Sequence, residues 1–262
     1  MIVISIIGGT GKMGRMFASN FRSKGHKVIL SGRKTRITHE EAARKGDIVI
    51  VSVPINVTES VIKKISPFVR KNALLTDFTS VKVVPCNAMK RFCRANIVGG
   101  HPVFGPNVAL KGQNFVLCPL RGKWQFYKRL LASLGLKISV LAPETHDKSM
   151  AVIQCLTHQS TLSYAFSLMK MNSDISILDK LASPQFRLKI SLVRRMLDQD
   201  ASLYSDIQRY NPFSNDVARI HALALKKCSS EFKTAFSQCQ NYFGRMSFKT
   251  RSFINKLLSV HQ

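Results

Sequence analysis

Six residues, Gly9-Thr10-Gly11-Lys12-Met13-Gly14, follow directly on an apolar run at residues 2–7 and open into a helical pattern at residues 15–24. No other feature restricts the fold so strongly. A glycine-rich turn between a first strand and a first helix lets a backbone approach a diphosphate, and the helix N-terminus then faces the negative charge. The spacing assigns the tight turn to Gly9, the close approach to Gly11 and the helix–strand packing to Gly14. Thr10, Lys12 and Met13 complete the loop as cofactor-binding candidates. A purely structural glycine turn is the competing reading.

Strand-like and helix-like stretches alternate after this loop. Residues 26–30, 47–53, 73–76 and 97–99 read as strands, with helical stretches at 40–45 and 57–68. Residues 114–118 and 137–141 are further strand-like pieces around a helix at 124–134. This order predicts an α/β fold, a Rossmann-type doubly wound and mostly parallel sheet over residues 1–142. The pattern changes at Ala142-Pro143-Glu144-Thr145, where Pro143 suits a helix start and Glu144 and Asp147 suit its dipole. Residues 143–262 then read as all-helical, in long stretches at 150–169, 184–210, 215–243 and 247–260. These helices carry more apolar positions than one packed face needs, Leu192, Val193, Met196, Leu197, Leu203 and Tyr204 among them. Association with a second copy is a natural use for the surplus, so a homodimer is expected.

A second feature bears on chemistry. His101-Pro102-Val103-Phe104-Gly105-Pro106-Asn107 follows a β-type run, and a lone histidine beside a stiff loop suits an acid/base group; a strand-end histidine is the plainer reading. At the end of the second strand, Leu30-Ser31-Gly32-Arg33-Lys34-Thr35-Arg36 lacks the carboxylate that commonly holds an adenosine ribose. Ser31 stands in its place, and Arg33 and Lys34 suit a 2′-phosphate, so NADP is favoured over NAD. Solvated loop cations are the alternative. The net charge is +26, spread along the chain without a basic tail, which fits an anion-attracting or simply solvated surface. No nucleic-acid-reading motif accompanies it, so no specific nucleic acid is expected. A non-enzymatic basic Rossmann binding module stays as the reading from another class. The six cysteines form no metal-ligand spacing, and no metal is expected. No run is long enough for a membrane span and no signal peptide is evident, so a cytoplasmic protein is expected.

Several motifs together resemble one family. Gly9-Thr10-Gly11-Lys12-Met13-Gly14, Val51-Ser52-Val53-Pro54-Ile55, Asp77-Phe78-Thr79-Ser80-Val81-Lys82 and the His101 loop are similar to those of prephenate dehydrogenase. So are the stretch from His146-Asp147 to His158, the segment Ser183-Pro184-Gln185-Phe186-Arg187-Leu188, the stretch from Gln199 to Ile207, and Tyr242-Phe243-Gly244. The likeness is greatest to the dehydrogenase half of the bacterial bifunctional chorismate mutase–prephenate dehydrogenase. No mutase half is expected, since the sequence begins at the first strand; a separate chorismate mutase is a candidate partner.

The resemblance implies oxidative decarboxylation of prephenate to 4-hydroxyphenylpyruvate in tyrosine biosynthesis, with arogenate dehydrogenation as the alternative. It implies that His101 takes the proton of the ring hydroxyl and that Ser80 orients both groups, although Ser80 also reads as a helix N-cap. It implies that Arg187 grips the ring carboxylate and that His158 binds the side chain or shapes the pocket. Val53 and Pro54 would meet the nicotinamide. Lys82 reads as a solvated first-turn cation or a substrate contact. His146 reads as a helix-terminal or interdomain residue.

Overall fold

In the computed structural model, which describes residues 1–244, seven strands form one sheet in the order β2-β1-β3-β4-β5-β6-β7. They are β1 (Val3–Ile7), β2 (Lys27–Ser31), β3 (Ile48–Val51), β4 (Leu74–Asp77), β5 (Asn96–Pro102), β6 (Asn114–Arg121) and β7 (Lys137–Val140). β1 to β5 run parallel; β6 is antiparallel to β5, and β7 is parallel to β6. The turn of direction at β6 follows from the short link after Pro102, too short for a crossover that would return the chain parallel.

Both sheet faces are covered, which explains why β1, β3 and β4 read as near-continuous apolar runs. Helices α1 (Lys12–Ser23) and α5 (Gln125–Ser133) send Phe17, Phe21, Tyr127 and Leu131 onto Ile4, Ile6, Ile48 and Phe115. On the other face, α2 (His39–Lys45), α3 (Ile55–Ile65) and α4 (Val83–Phe92) bury Ala42, Ile62 and Met89 against Ile7, Val49, Val51 and Leu75. Each large apolar side chain so buried stabilises the fold by about 1.5–3 kcal/mol.

The chain divides into two compact units. The first comprises Met1–Gln154 with Ser202–Ser214. It adds α6 (Pro143–Met150) and α10 (Ala201–Tyr210) to the sheet. The second comprises Cys155–Ala201 and the described residues from Asn215 onward. It holds α7 (Thr157–Lys170), α8 (Ile175–Lys180), α9 (Pro184–Leu197), most of α11 (Ser214–Ser230) and α12 (Phe232–Gly244), and α7 packs on α9.

The long helical stretches expected after residue 143 are more divided than their periodicity implies. The stretch at 150–169 contains a π-helical segment at Ala151–Leu156 ahead of α7. The stretch at 184–210 breaks at the polar residues Asp198, Gln199 and Asp200. The stretch at 215–243 is interrupted only at Glu231, across which the backbone bonds Glu231 N to Lys227 O and Ala235 N to Glu231 O persist. The expected helix at 247–260 lies outside the described residues. α8 has no counterpart among the expected helical stretches, and α4 starts at Val83, after the Ser80 cap and the Lys82 first turn that the sequence suggests. In α4, Pro85 occupies the first turn, where a missing N–H does no harm. Leu192 and Leu197 are exposed, as are Leu162, Phe166, Ile220, Leu223, Phe232 and Phe236 of the second unit, while Val193 is buried. Among the described residues, no helix is long and apolar enough to cross a membrane.

Candidate active site

The C-terminal ends of β1 to β5 share one edge of the sheet, because these five strands run parallel. β1 lies between β2 and β3, so the strand order reverses there and leaves a crevice at the ends of β1 and β3. The glycine loop occupies that point. Its left-handed residue is Gly8, with φ of 78°, and not Gly9, to which the spacing assigned the turn. A side chain at Gly8 would run into the Ser52 carbonyl. A Cβ at Gly14 would lie 2.7 Å from Gly9 Cα, so glycine there lets α1 press against the turn, and not against the strand to which the spacing assigned it. Gly11 is the N-cap of α1, and no side chain caps the helix. The first turn has no acidic residue and carries Lys12 and Arg15, whose Nε donates to Thr10 O. A bare, cationic helix start beside a glycine cradle fits a dinucleotide diphosphate.

Ser31 ends β2 and is buried. Its carbonyl accepts from Gly8 N and Gly9 N, which ties the glycine turn to β2. Its hydroxyl lies 2.6 Å from His39 Nδ1 and 3.2 Å from the Ile37 carbonyl. Ser31 is therefore occupied with its own loop and is a weaker ribose partner than its position implies. Burial holds His39 below the ordinary imidazole range. Arg33 and Lys34 are exposed on the loop beyond. Val53 is half-buried beside Gly8, and Pro54 is the exposed N-cap of α3. Asp206 of α10 accepts from Asn56 N at 3.3 Å and so supplies a side chain to the start of α3.

His101 departs from expectation in two ways. It lies within β5, paired with Val116 of β6, so the strand ladder fixes its backbone and the proline loop does not. It is also not alone. Its ring is 1% exposed, and its Nδ1 lies 2.8 Å from His146 Nε2. His146 Nδ1 lies 2.7 Å from Asp147 Oδ1, with both side chains fully buried on α6. Burial, the neighbouring His146 and the Lys82 charge hold His101 well below its ordinary range. Burial also lowers His146, against the opposing pull of Asp147.

Lys82 is neither solvated nor a first-turn residue. It is fully buried at the N-cap of α4, with its Nζ on Asp77 Oδ2 and 2.6 Å from Gly100 O. Asp77 Oδ1 in turn accepts from Gly100 N at 3.1 Å. The pair thus clamps both backbone groups of the residue preceding His101. Ser80 is half-buried after β4 and does not cap α4, because that helix starts at Val83. The cap comes from Asp147, which accepts from Lys82 N at 2.6 Å and Val83 N at 2.9 Å. Asn211 holds Asp147 from the other side, with its Nδ2 2.8 Å from Asp147 O.

His158 and Arg187 belong to the second unit. His158 opens α7, half-buried, and burial lowers its pKa. Arg187 lies on α9, exposed, with its Nη2 3.2 Å from Asp179 O; Ser183 caps that helix through Phe186 N. Arg194 and Arg195 are exposed. A cleft of about 520 Å³ is lined by Tyr164, Ser183, Gln185, Phe186, Leu188, Lys189 and Leu192. The residues missed from sequence were His146 as the partner of His101, Asp147 as the partner of His146, and Asp77 as the counter-ion of Lys82. The His101–His146 and Asp147–Lys82 contacts join residues far apart in the chain, whereas Asp77 lies five residues before Lys82 within one motif. Among the described residues, no three His, Cys, Asp or Glu side chains gather as around a metal ion.

Fold and site together define a dinucleotide-binding α/β protein with a buried histidine at the strand edge where the nucleotide loop lies. Residues 17–140 match the family described as prephenate dehydrogenase, nucleotide-binding domain, and residues 142–237 match prephenate dehydrogenase, dimerization domain. A probable arogenate/prephenate dehydrogenase of Methanocaldococcus jannaschii is 37% identical over 93% of this chain and 61% of its own length. A T-protein of Haemophilus influenzae is 35% identical over 78% of this chain and 55% of its own length. The chain therefore spans a little over half the length of these relatives. The crystal structure of a prephenate dehydrogenase from A. aeolicus, solved with hydroxyphenyl propionate and NAD+, shares the fold at a TM-score of 0.70 and 20% identity. That match covers 92% of this chain and 97% of that one. The chain belongs to the prephenate dehydrogenase family.

Proposed function

We propose that the chain oxidises and decarboxylates prephenate to 4-hydroxyphenylpyruvate with a nicotinamide dinucleotide, as a homodimer formed through its helical unit. The observation that carries this reading is His101. An uncharged imidazole at the sheet edge that bears the nucleotide loop is the base an alcohol oxidation needs. As the ring hydroxyl becomes a carbonyl, His101 accepts its proton, and Ser80 orients the hydroxyl. Arg187 grips the ring carboxylate, a task for which a forked guanidinium is suited, and His158 binds or shapes the side-chain pocket. Gly9, Gly11, Gly14 and the first turn of α1 hold the diphosphate. A bound nicotinamide supplies the hydride acceptor, and loss of carbon dioxide aromatises the ring.

Arogenate is the second reading, and the printed name of the Methanocaldococcus jannaschii relative favours keeping it. The two substrates differ only in the side chain. For the cofactor, the absence of a carboxylate at the end of β2 and the exposed Arg33 and Lys34 support NADP over NAD. Parallel steady-state assays with prephenate and arogenate, each with NAD+ and NADP+, test all of these points. Turnover of prephenate with a higher kcat/KM for NADP+ is expected. Turnover of neither substrate removes the reading.

A further inference from the structure

We infer that His146 and Asp147 are positioning residues that fix the tautomer of His101, so that its Nε2 is the bare, proton-accepting nitrogen. The inference rests on the proposed function above for its catalytic meaning, and on geometry for its content. Asp147 Oδ1 accepts from Lys82 N, and Oδ2 accepts from Val83 N, so the carboxylate is fixed by the start of α4. His146 Nδ1 lies 2.7 Å from that same Oδ1 and must donate to it. A neutral imidazole carries one ring proton. His146 Nε2 is then an acceptor, and the group 2.8 Å away, His101 Nδ1, must be a donor. The His101 proton therefore sits on Nδ1, and its Nε2 holds the free lone pair. Among the described residues, the hydrogen bond of the His101 ring is the one made through Nδ1.

A charged His146 would reverse the whole chain, because its Nε2 would donate and His101 would be forced to carry its proton on Nε2. The surroundings oppose this. His146 is fully buried, and the Lys82 ammonium lies nearby, paired with Asp77. Burial lowers the His146 pKa as its largest effect, followed by the Asp147 bond, which raises it, and the Lys82 charge, which lowers it. The charged and titratable groups acting on the His101 ring are His146 from α6 and Lys82 from the start of α4, with Asp147 behind His146 and Asp77 behind Lys82. Lys82 and Asp77 hold the Gly100 peptide, and the His146–Asp147 pair holds the ring. Together they leave His101 one orientation and one protonation pattern.

The direct test is nitrogen-15 spectroscopy of the histidine rings at pH 8 in the intact chain, with His101 assigned by comparison with His101→Asn. The proton is expected on Nδ1 of His101 and Nδ1 of His146. A proton on Nε2 of His101 overturns the inference whether or not the enzyme turns over prephenate. Variants supply the functional arm. His146→Ala removes the acceptor and is expected to lower kcat by about 10- to 100-fold, with KM within about threefold. His146→Gln places an amide oxygen where His146 Nε2 lies, so it is expected to recover kcat to within about fivefold of the parent. If His146→Gln falls as far as His146→Ala, the inference fails. Should His146→Ala not fold, the wild-type ring spectrum still decides. A wild-type chain inactive on both substrates, with His101 protonated on Nδ1, retires the proposed function and leaves the tautomer assignment standing.

Discussion

At position 101 an imidazole gives up nearly all its water, and the cost of charging it there keeps it neutral. Replacing His101 with Asn is predicted to lower kcat by about 10²- to 10⁴-fold while substrate KM changes little, read by steady-state kinetics. Arg187→Gln is predicted to do the opposite, raising prephenate KM by about 10- to 100-fold, the worth of a charge-assisted hydrogen bond of about 1.5–3 kcal/mol. An unchanged KM would remove Arg187 from substrate binding. At this scale the sequence was legible where a residue type announces itself. Gly14 was legible as a position of close approach, and its close neighbour is the backbone of Gly9 in the turn. Lys82 was not legible, because a lysine after Ser80-Val81 looks solvated until β4 and β5 close around it.

The element that most depends on distant partners is α4. Its first N–H groups are capped from Asp147, 64 residues along the chain, and its N-cap side chain is buried on Asp77. The local signal, Ser80 as an N-cap with Lys82 in the first turn, places the start of this helix too early, because the group that caps Val83 comes from a distant part of the chain. The same arrangement makes Lys82→Met a sharp probe. It removes one partner of a buried ion pair and leaves the Asp77 charge uncompensated, which is predicted to cost about 3–5 kcal/mol in urea unfolding. A cost below about 1 kcal/mol would mean that the pair contributes no more than a surface bridge. The β2 loop is an element of the opposite kind, exposed and held by its own polar contacts through Thr35, Ile37 and His39. The double substitution Arg33→Ser with Lys34→Ser is predicted to lower kcat/KM for NADP+ by about tenfold or more and to leave that for NAD+ within about threefold. Equal losses for both cofactors would assign these cations to general steering of anions.

Across the whole molecule, the alternation of strands and helices announced the sheet, because buried parallel strands are apolar throughout and the helices between them are not. The helical remainder was legible as helix but not as separate helices, since periodicity runs on through the π-helical segment at Ala151–Leu156 and across Glu231. Nor could it show that Ser202–Ser214 joins the first unit. The histidines give the molecule a pH signature. His39, His101, His146 and His158 all have lowered folded-state pKa values, with burial the largest cause. Unfolded, each titrates near 6.5 and binds more protons than the folded form below that pH. Their stabilisation is full above about pH 6.5 and is lost as pH falls toward the folded-state values. The depressed carboxylates Glu40, Glu41, Asp47 and Asp174 act only at lower pH. The thermal midpoint is therefore predicted to be level from pH 8 to 6.5 and to fall between 6.5 and 5, less steeply in His146→Gln. A midpoint flat to pH 5 would contradict buried neutral histidines. The most direct test of the whole account is the release of 4-hydroxyphenylpyruvate and reduced cofactor from prephenate by the wild-type chain and by His101→Asn side by side. Turnover by the wild type that collapses in the variant is predicted, whereas undiminished turnover in His101→Asn, or none in the wild type, contradicts it.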